Sequence, residues 1–187
     1  MRAKAAAVAL VALATAALCA SSASASQGEF VTVAGGKFGD VRWAFGVHGG
    51  GGERCYASLT TRPEYGEVWS GMSETCEKAS NPRGEWRHIL GLQLGINGGG
   101  ADLQQTSARV HYLELRLSDP FGGDDYAPEW RRVRTKALGA SESAKAKLGP
   151  GYRFAAVVSG RPFCVTAVRT FDRDRKLLRE RRVPCEY

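Results

Sequence analysis

The sequence predicts an all-β fold: a sandwich or partly open barrel of about nine short strands, with at most one short helix and two disulfides. Three observations predict it. Apolar residues recur with period two along most of the chain. Clusters of Gly, Pro, Asn and Asp interrupt that alternation at intervals, as turns between strands do. Four cysteines, Cys55, Cys76, Cys164 and Cys185, remain once an N-terminal leader is set aside, an even number that suits pairing in an oxidising compartment.

The leader comes first. Arg2 and Lys4 form a charged start, and Ala5 to Cys19 is almost wholly Ala, Val and Leu. As a helix those residues rise roughly 22 Å, short of the roughly 30 Å hydrocarbon core of a bilayer. Small residues at Ser22-Ala23-Ser24-Ala25 suit a signal peptidase, so residues 1–25 read as a signal peptide cleaved near Ala25. Leu18 before Cys19 argues against the alternative of a lipidated cysteine. Residues 26–187 read as a single secreted domain, with no stable membrane span once the leader is removed. It keeps 24 basic and 19 acidic residues, a net charge of +5.

Asp40 to His48 is the clearest strand, with Val41, Trp43, Phe45 and Val47 on one face, and Gly49 to Gly52 break it. Arg54 to Thr61 follows, and Glu67 to Ser73 is a shorter strand leading to Cys76. Trp86 to Leu94 sets Trp86, His88, Leu90, Leu92 and Leu94 on one side, and Asn97-Gly98 signals a turn. Arg109 to Ser118 changes face between Tyr112 and Leu113, as a β-bulge or a strand buried on both sides would. Arg131 to Leu138 is a weaker strand, and Ser141 to Leu148 suits one short helix. Tyr152 to Val158, Phe163 to Phe171 and Leu177 to Val183 close the chain.

Cys55 to Cys76 and Cys164 to Cys185 each span 21 residues across what read as neighbouring strands, which favours these local pairings. Zinc is the competing use of four cysteines, but no Cys-x-x-Cys pair occurs. Arg42 to Gly49 echoes Arg153 to Gly160, and each is followed by a cysteine with a partner 21 residues on; chance similarity of two hairpins accounts for this better than a repeat.

The runs Arg153-Phe154-Ala155-Ala156-Val157-Val158, Cys164-Val165-Thr166-Ala167-Val168 and Phe171-Asp172-Arg173-Asp174-Arg175-Lys176-Leu177-Leu178 resemble the closing hairpins of small, uncharacterised secreted β proteins of high-GC bacteria. The resemblance covers the last forty or so residues, with a fainter match around Arg109 to Leu117. It implies export and a β fold, and no activity.

No motif defines a catalytic residue, a cofactor site or a metal site. His48-Gly49-Gly50-Gly51 copies an oxyanion-hole string of esterases, but the Gly-x-Ser-x-Gly nucleophile elbow that must accompany it is missing. His48, His88 and His111, the only histidines, lie at no paired ligand spacing. Asp119, Asp124 and Asp125 offer calcium hard oxygen ligands near glycines, yet fit no EF-hand and are ordinary turn residues. Among the four tryptophans, Trp43 and Trp86 share faces with aliphatic residues and read as core, whereas Trp69 and Trp130 sit among polar neighbours and read as surface.

Residues 161–187 carry eight Lys or Arg, including Arg173, Arg175, Lys176, Arg179, Arg181 and Arg182, against four acids. These residues, with Trp69 and Trp130, form the expected binding surface. The leading expectation is a non-catalytic extracellular module that binds an envelope component, an anionic polymer or a protein. A secreted protease inhibitor or antagonist displaying the Thr61 to Cys76 loop, with Pro63, Tyr65 and Trp69, is the alternative, and a small extracellular hydrolase a further one.

Overall fold

The computed structural model describes residues 28–61, 71–78, 85–94, 99–121, 127–149 and 151–185. The expected leader at 1–25, the expected strand start at 67–70, the expected Asn97-Gly98 turn and most of the expected Thr61 to Cys76 loop lie outside them. Twelve strands and one helix occur among the described residues: β1 Val31–Phe38, β2 Val41–Gly50, β3 Glu53–Thr61, β4 Gly71–Lys78, β5 Trp86–Gln93, β6 Gly100–Ser107, β7 Tyr112–Ser118, β8 Glu129–Arg134, β9 Lys136–Ala137, α1 Ala140–Lys145, β10 Tyr152–Ser159, β11 Cys164–Phe171 and β12 Leu177–Arg182. They form three antiparallel sheets, ordered β1-β2-β3-β4, β5-β6-β10-β9 and β12-β11-β7-β8.

The all-β, sandwich-like fold with two disulfides is as expected, with three layers and twelve strands in place of about nine. Two of the extra strands, β1 and β6, have weak patterns: Gly35-Gly36 interrupt one, and Gln104-Gln105-Thr106 give the other a polar run. The third arises because the Arg131 to Leu138 segment splits at Thr135 into β8 and β9, with Thr135 turned inward to bond the Val110 carbonyl at 2.6 Å.

Alternation along β10 explains the stacking. Tyr152 and Phe154 join Trp43, Phe45, Val47 and Tyr56 of the first sheet in one apolar cluster, while Ala155 and Val157 join Leu113, Leu115, Leu117 and Val168 of the third in another. Successive side chains of one strand point to opposite faces, so β10 contributes to two cores and its sheet is the middle layer. Such a strand needs near-continuous small and apolar residues, as Phe154-Ala155-Ala156-Val157-Val158 provides.

Two face assignments differ from expectation. A bulge between His88 and Leu90 divides β5, so Trp86 and His88 turn toward the third sheet while Leu90 and Leu92 pack into the first core. The face change near Tyr112 is no bulge within β7. Val110 enters the core after the turn at Ala108-Arg109, and β7 then alternates regularly from Tyr112. The glycine break is tighter than the four-residue run implies: β2 extends through Gly50, and Gly51 (φ +61°) with Gly52 (φ +83°) make a two-residue hairpin turn, both in the left-handed region that favours glycine. The Arg42/Arg153 echo is not a repeated hairpin, since β2 pairs with the next strand whereas β11 leaves the sheet of β10.

The disulfides join Cys55 to Cys76 across β3 and β4, and Cys164 at the start of β11 to Cys185 beyond β12. Each closure of 21 residues contributes on the order of 3 kcal/mol by restricting the unfolded chain.

Candidate functional site

Two surfaces and one buried seam concentrate the polar chemistry. The seam lies between the first and middle sheets. Arg54 on β3 is 4% exposed, its guanidinium 4.0 Å from the centre of the Tyr152 ring and donating to the Tyr152 hydroxyl. Beside it the Tyr56 hydroxyl donates to Gln105 Oε1, with Glu77 Oε1 at 3.2 Å, and accepts from Arg87 Nη2 at 2.7 Å. Arg87 holds Glu77 in a two-pronged pair, with Nη1 to Oε2 at 2.6 Å. The Arg87 hydrogen bond keeps the Glu77 carboxyl below its ordinary range, and the same bond raises Arg87.

Burial pushes the Tyr56 phenol up to about 12, against the opposing pull of the Arg54 hydrogen bond and charge. Because the folded value lies above the unfolded one, this group's contribution to stability is complete below pH ~10 and disappears as the pH climbs toward 12. In an absorbance titration at 295 nm, a late ionisation step near pH 12 is expected, and Tyr56→Phe should remove it. A wild-type curve identical to the Tyr56→Phe curve would contradict the burial.

The outer face of the third sheet is the first surface. Cross-strand register aligns Arg132, Glu114, Arg169 and Glu180 in one row over β8, β7, β11 and β12. The charges alternate along it: Arg132 pairs with Glu114, Arg169 lies 3.7 Å from Glu114, and Arg169 Nε donates to Glu180 at 3.0 Å. The neighbouring row runs Trp130, Arg116, Ala167, Arg182. Guanidiniums lie over rings across this face: Arg169 is 4.1 Å from the Trp130 ring centre, Arg175 5.8 Å from Tyr112 and Arg132 6.0 Å from Phe171. Arg116, Arg134 and Arg182 are exposed and make no ion pair with a described residue. Burial, reinforced by the charges of Arg153, Arg173 and Arg134, lowers His111 at the end of the same sheet.

The expected surface residues therefore divide. Trp130 and Arg182 share the outer face, and Arg175 leans onto it from the turn that also holds Arg173 and Lys176. Arg179 and Arg181 alternate to the inner side of β12, opposite Thr170 and Val168. Trp69 lies outside the described residues. Trp43 is buried in the first core as expected, but Trp86 is only half-buried, with its indole N–H donating to Gln104 Oε1 at 2.8 Å.

The second surface is a cleft of about 780 Å³ between β5–β6 of the middle sheet and the β11–β12 side of the third. Trp86, His88 and Asp102 lie on one wall, Phe163, Arg181 and Val183 on the other, and Phe121, 77% exposed, lies at its margin. His88 Nε2 is 3.6 Å from Asp102 Oδ2, and the described wall residues include no Ser or Thr beside that pair.

The three histidines sit against three different sheets. His48 on β2 meets Glu74 Oε1 at 2.7 Å, His88 is on β5, and His111 precedes β7. His48, Cys55 and Glu74 cluster, as do Glu53, Cys55 and Cys76, but the disulfide occupies both sulfurs. The Gly49 N–H of the His-Gly-Gly-Gly string is taken by the Ala146 carbonyl at 2.6 Å. Asp119 caps its own turn, accepting from the Phe121 N–H at 2.8 Å, and Asp124 and Asp125 lie outside the described residues. No helix among the described residues is long and apolar enough to cross a membrane. No protein-family model, curated protein or solved structure matches the chain.

The seam and the cleft are what sequence reading missed. Arg54, Gln104 and Gln105 look like solvent-facing positions on strands covered on one side only. Arg54 and Gln105 are buried where the first sheet covers the middle one, and Gln104 where the third sheet covers its other face, a stacking whose signal is the two-sided apolar run of β10.

Proposed function

We propose that the chain is an exported, non-catalytic binding module that holds an anionic polymer on the outer face of its β12-β11-β7-β8 sheet. One observation carries this reading: Arg116, Arg134 and Arg182 stand on that face without carboxylate partners among the described residues, beside arginines stacked on Trp130, Tyr112 and Phe171. Arg175, its guanidinium over the Tyr112 ring, is a pre-organised fork for phosphate or carboxylate, while Arg132 and Arg169, paired with Glu114 and Glu180, hold the strands beneath it in register. Export is supported by the leader-like residues 1–25 and by two disulfides in a 187-residue chain. The resemblance to secreted proteins of high-GC bacteria makes a wall polymer such as a teichoic acid the natural partner.

The chain from Ser26 onward should bind immobilised teichoic acid or heparin but not neutral dextran, with affinity falling as salt rises. The double variant Arg116→Glu, Arg182→Glu should bind at least about tenfold more weakly and with a shallower salt slope. Binding that is indifferent to salt, or a double variant that binds like wild type, would refute the reading. Stoichiometric inhibition of a secreted protease, without polymer binding, would favour the inhibitor alternative.

A further inference from the structure

The cleft exists because the two faces of β5–β6 differ in bulk. Toward the first core they carry Leu90, Leu92, Ala101 and Leu103. Toward the third sheet the same stretch carries Gly91, Gln93, Gly100 and Asp102. A Cβ on Gly91 would lie 2.8 Å from Asp102 Oδ1, so the carboxylate lies over the glycine and no apolar side chain fills that level. The two layers therefore meet around Trp86 and separate beyond it, leaving about 780 Å³, within the range of small-molecule sites.

Charge selects the occupant. Among the described residues, the cleft's ionisable side chains are Arg87, His88, Asp102 and Arg181. Arg87 is bound to Glu77 and Tyr56, and His88 faces Asp102. Arg181 is left, turned inward opposite Val168 and without an ion pair among the described residues. One guanidinium without a described carboxylate partner, on the wall facing Asp102 and beside the apolar surfaces of Phe163 and Val183 with the exposed Phe121 ring close by, matches a ligand with one negative charge and an apolar body. A polyanion would meet Asp102, and a neutral ligand would leave Arg181 unused.

We propose that this cleft binds a monoanionic amphiphile, a carboxylate or sulfonate on an aliphatic or aromatic body. The site is separate from the polymer-binding face, because Arg181 and Arg182 project to opposite sides of β12.

Anilinonaphthalene sulfonate, an aromatic monosulfonate, is the probe, added to the folded chain and to its Trp86→Phe variant with tryptophan emission recorded alongside. Saturable one-to-one binding is expected, with quenching of tryptophan emission that Trp86→Phe diminishes, and dodecanoate should displace the probe at least about tenfold better than dodecanol. Arg181→Glu and Arg181→Gln should each weaken probe binding, the former by about tenfold or more, while Arg182→Glu leaves it unchanged. Far-UV circular dichroism checks that each variant is folded. Equal displacement by dodecanol, equal loss in Arg182→Glu, or no saturable binding by the folded chain would overturn the proposal. None of these outcomes depends on whether polymer binding is found.

Discussion

Arg54→Ala is expected to lower unfolding stability by about 3–5 kcal/mol, an unusually large effect for a charged residue on a strand. The loss has two parts. The stacked contact with Tyr152 and its hydrogen bond disappear, and a hole the size of a long side chain opens between two layers. The Glu77 carboxylate, 3.7 Å from Arg54 Nη1, also loses its second cation. Arg54→Met refills the alkyl volume and should recover part of the loss, though not the polar part. The measurement is the midpoint of denaturant unfolding at unchanged slope. A cost below about 1 kcal/mol for alanine, the range of surface ion pairs, would show that Arg54 is solvated.

Phe154→Ala and Leu115→Ala should each destabilise strongly, by about 3–5 and about 2–5 kcal/mol, and each should shift the same single transition. Phe154 is 1% exposed in the first core and Leu115 wholly buried in the second, so the substitutions touch different clusters. The cores are joined through the middle sheet, where Phe154 and Val157 belong to one strand yet to opposite clusters. Loss of either core strips one face from that sheet, and the other face then has no rigid layer to pack on. Near- and far-UV circular dichroism should therefore report coincident midpoints in both variants. A Leu115→Ala protein that unfolded in two steps, one at the wild-type midpoint, would show the layers to be independent.

Much of the local structure is legible in the residues, and the failures have identifiable physical causes. β2, β3, β10 and β11 alternate strongly or run apolar, β12 opens on Leu177-Leu178 after the Asp-Arg turn, and their positions follow from period two and from the turns between them. β6 is hidden because its buried glutamines bond to side chains of other strands, Gln105 to Tyr56 across a layer boundary and Gln104 to Trp86, an arrangement no local pattern encodes. The bulge in β5 shifts Trp86 and His88 away from the leucines they appear to accompany, and so places Trp86 on the cleft. On the C-terminal hairpin the excess of arginine is plain from composition. Its division between an outer face and a cleft wall depends on which side of β12 each position occupies.

By itself the sequence determines the β class, the two local disulfides, the basic C-terminal hairpin and the leader-like start, because each rests on residue types and short spacings. Only the tertiary structure decides that there are three layers, that Arg54 is buried, and that Arg181 and Arg182 serve different surfaces. Those outcomes depend on which sheet covers which face, and a strand's alternation records that it has two faces without recording what packs against either.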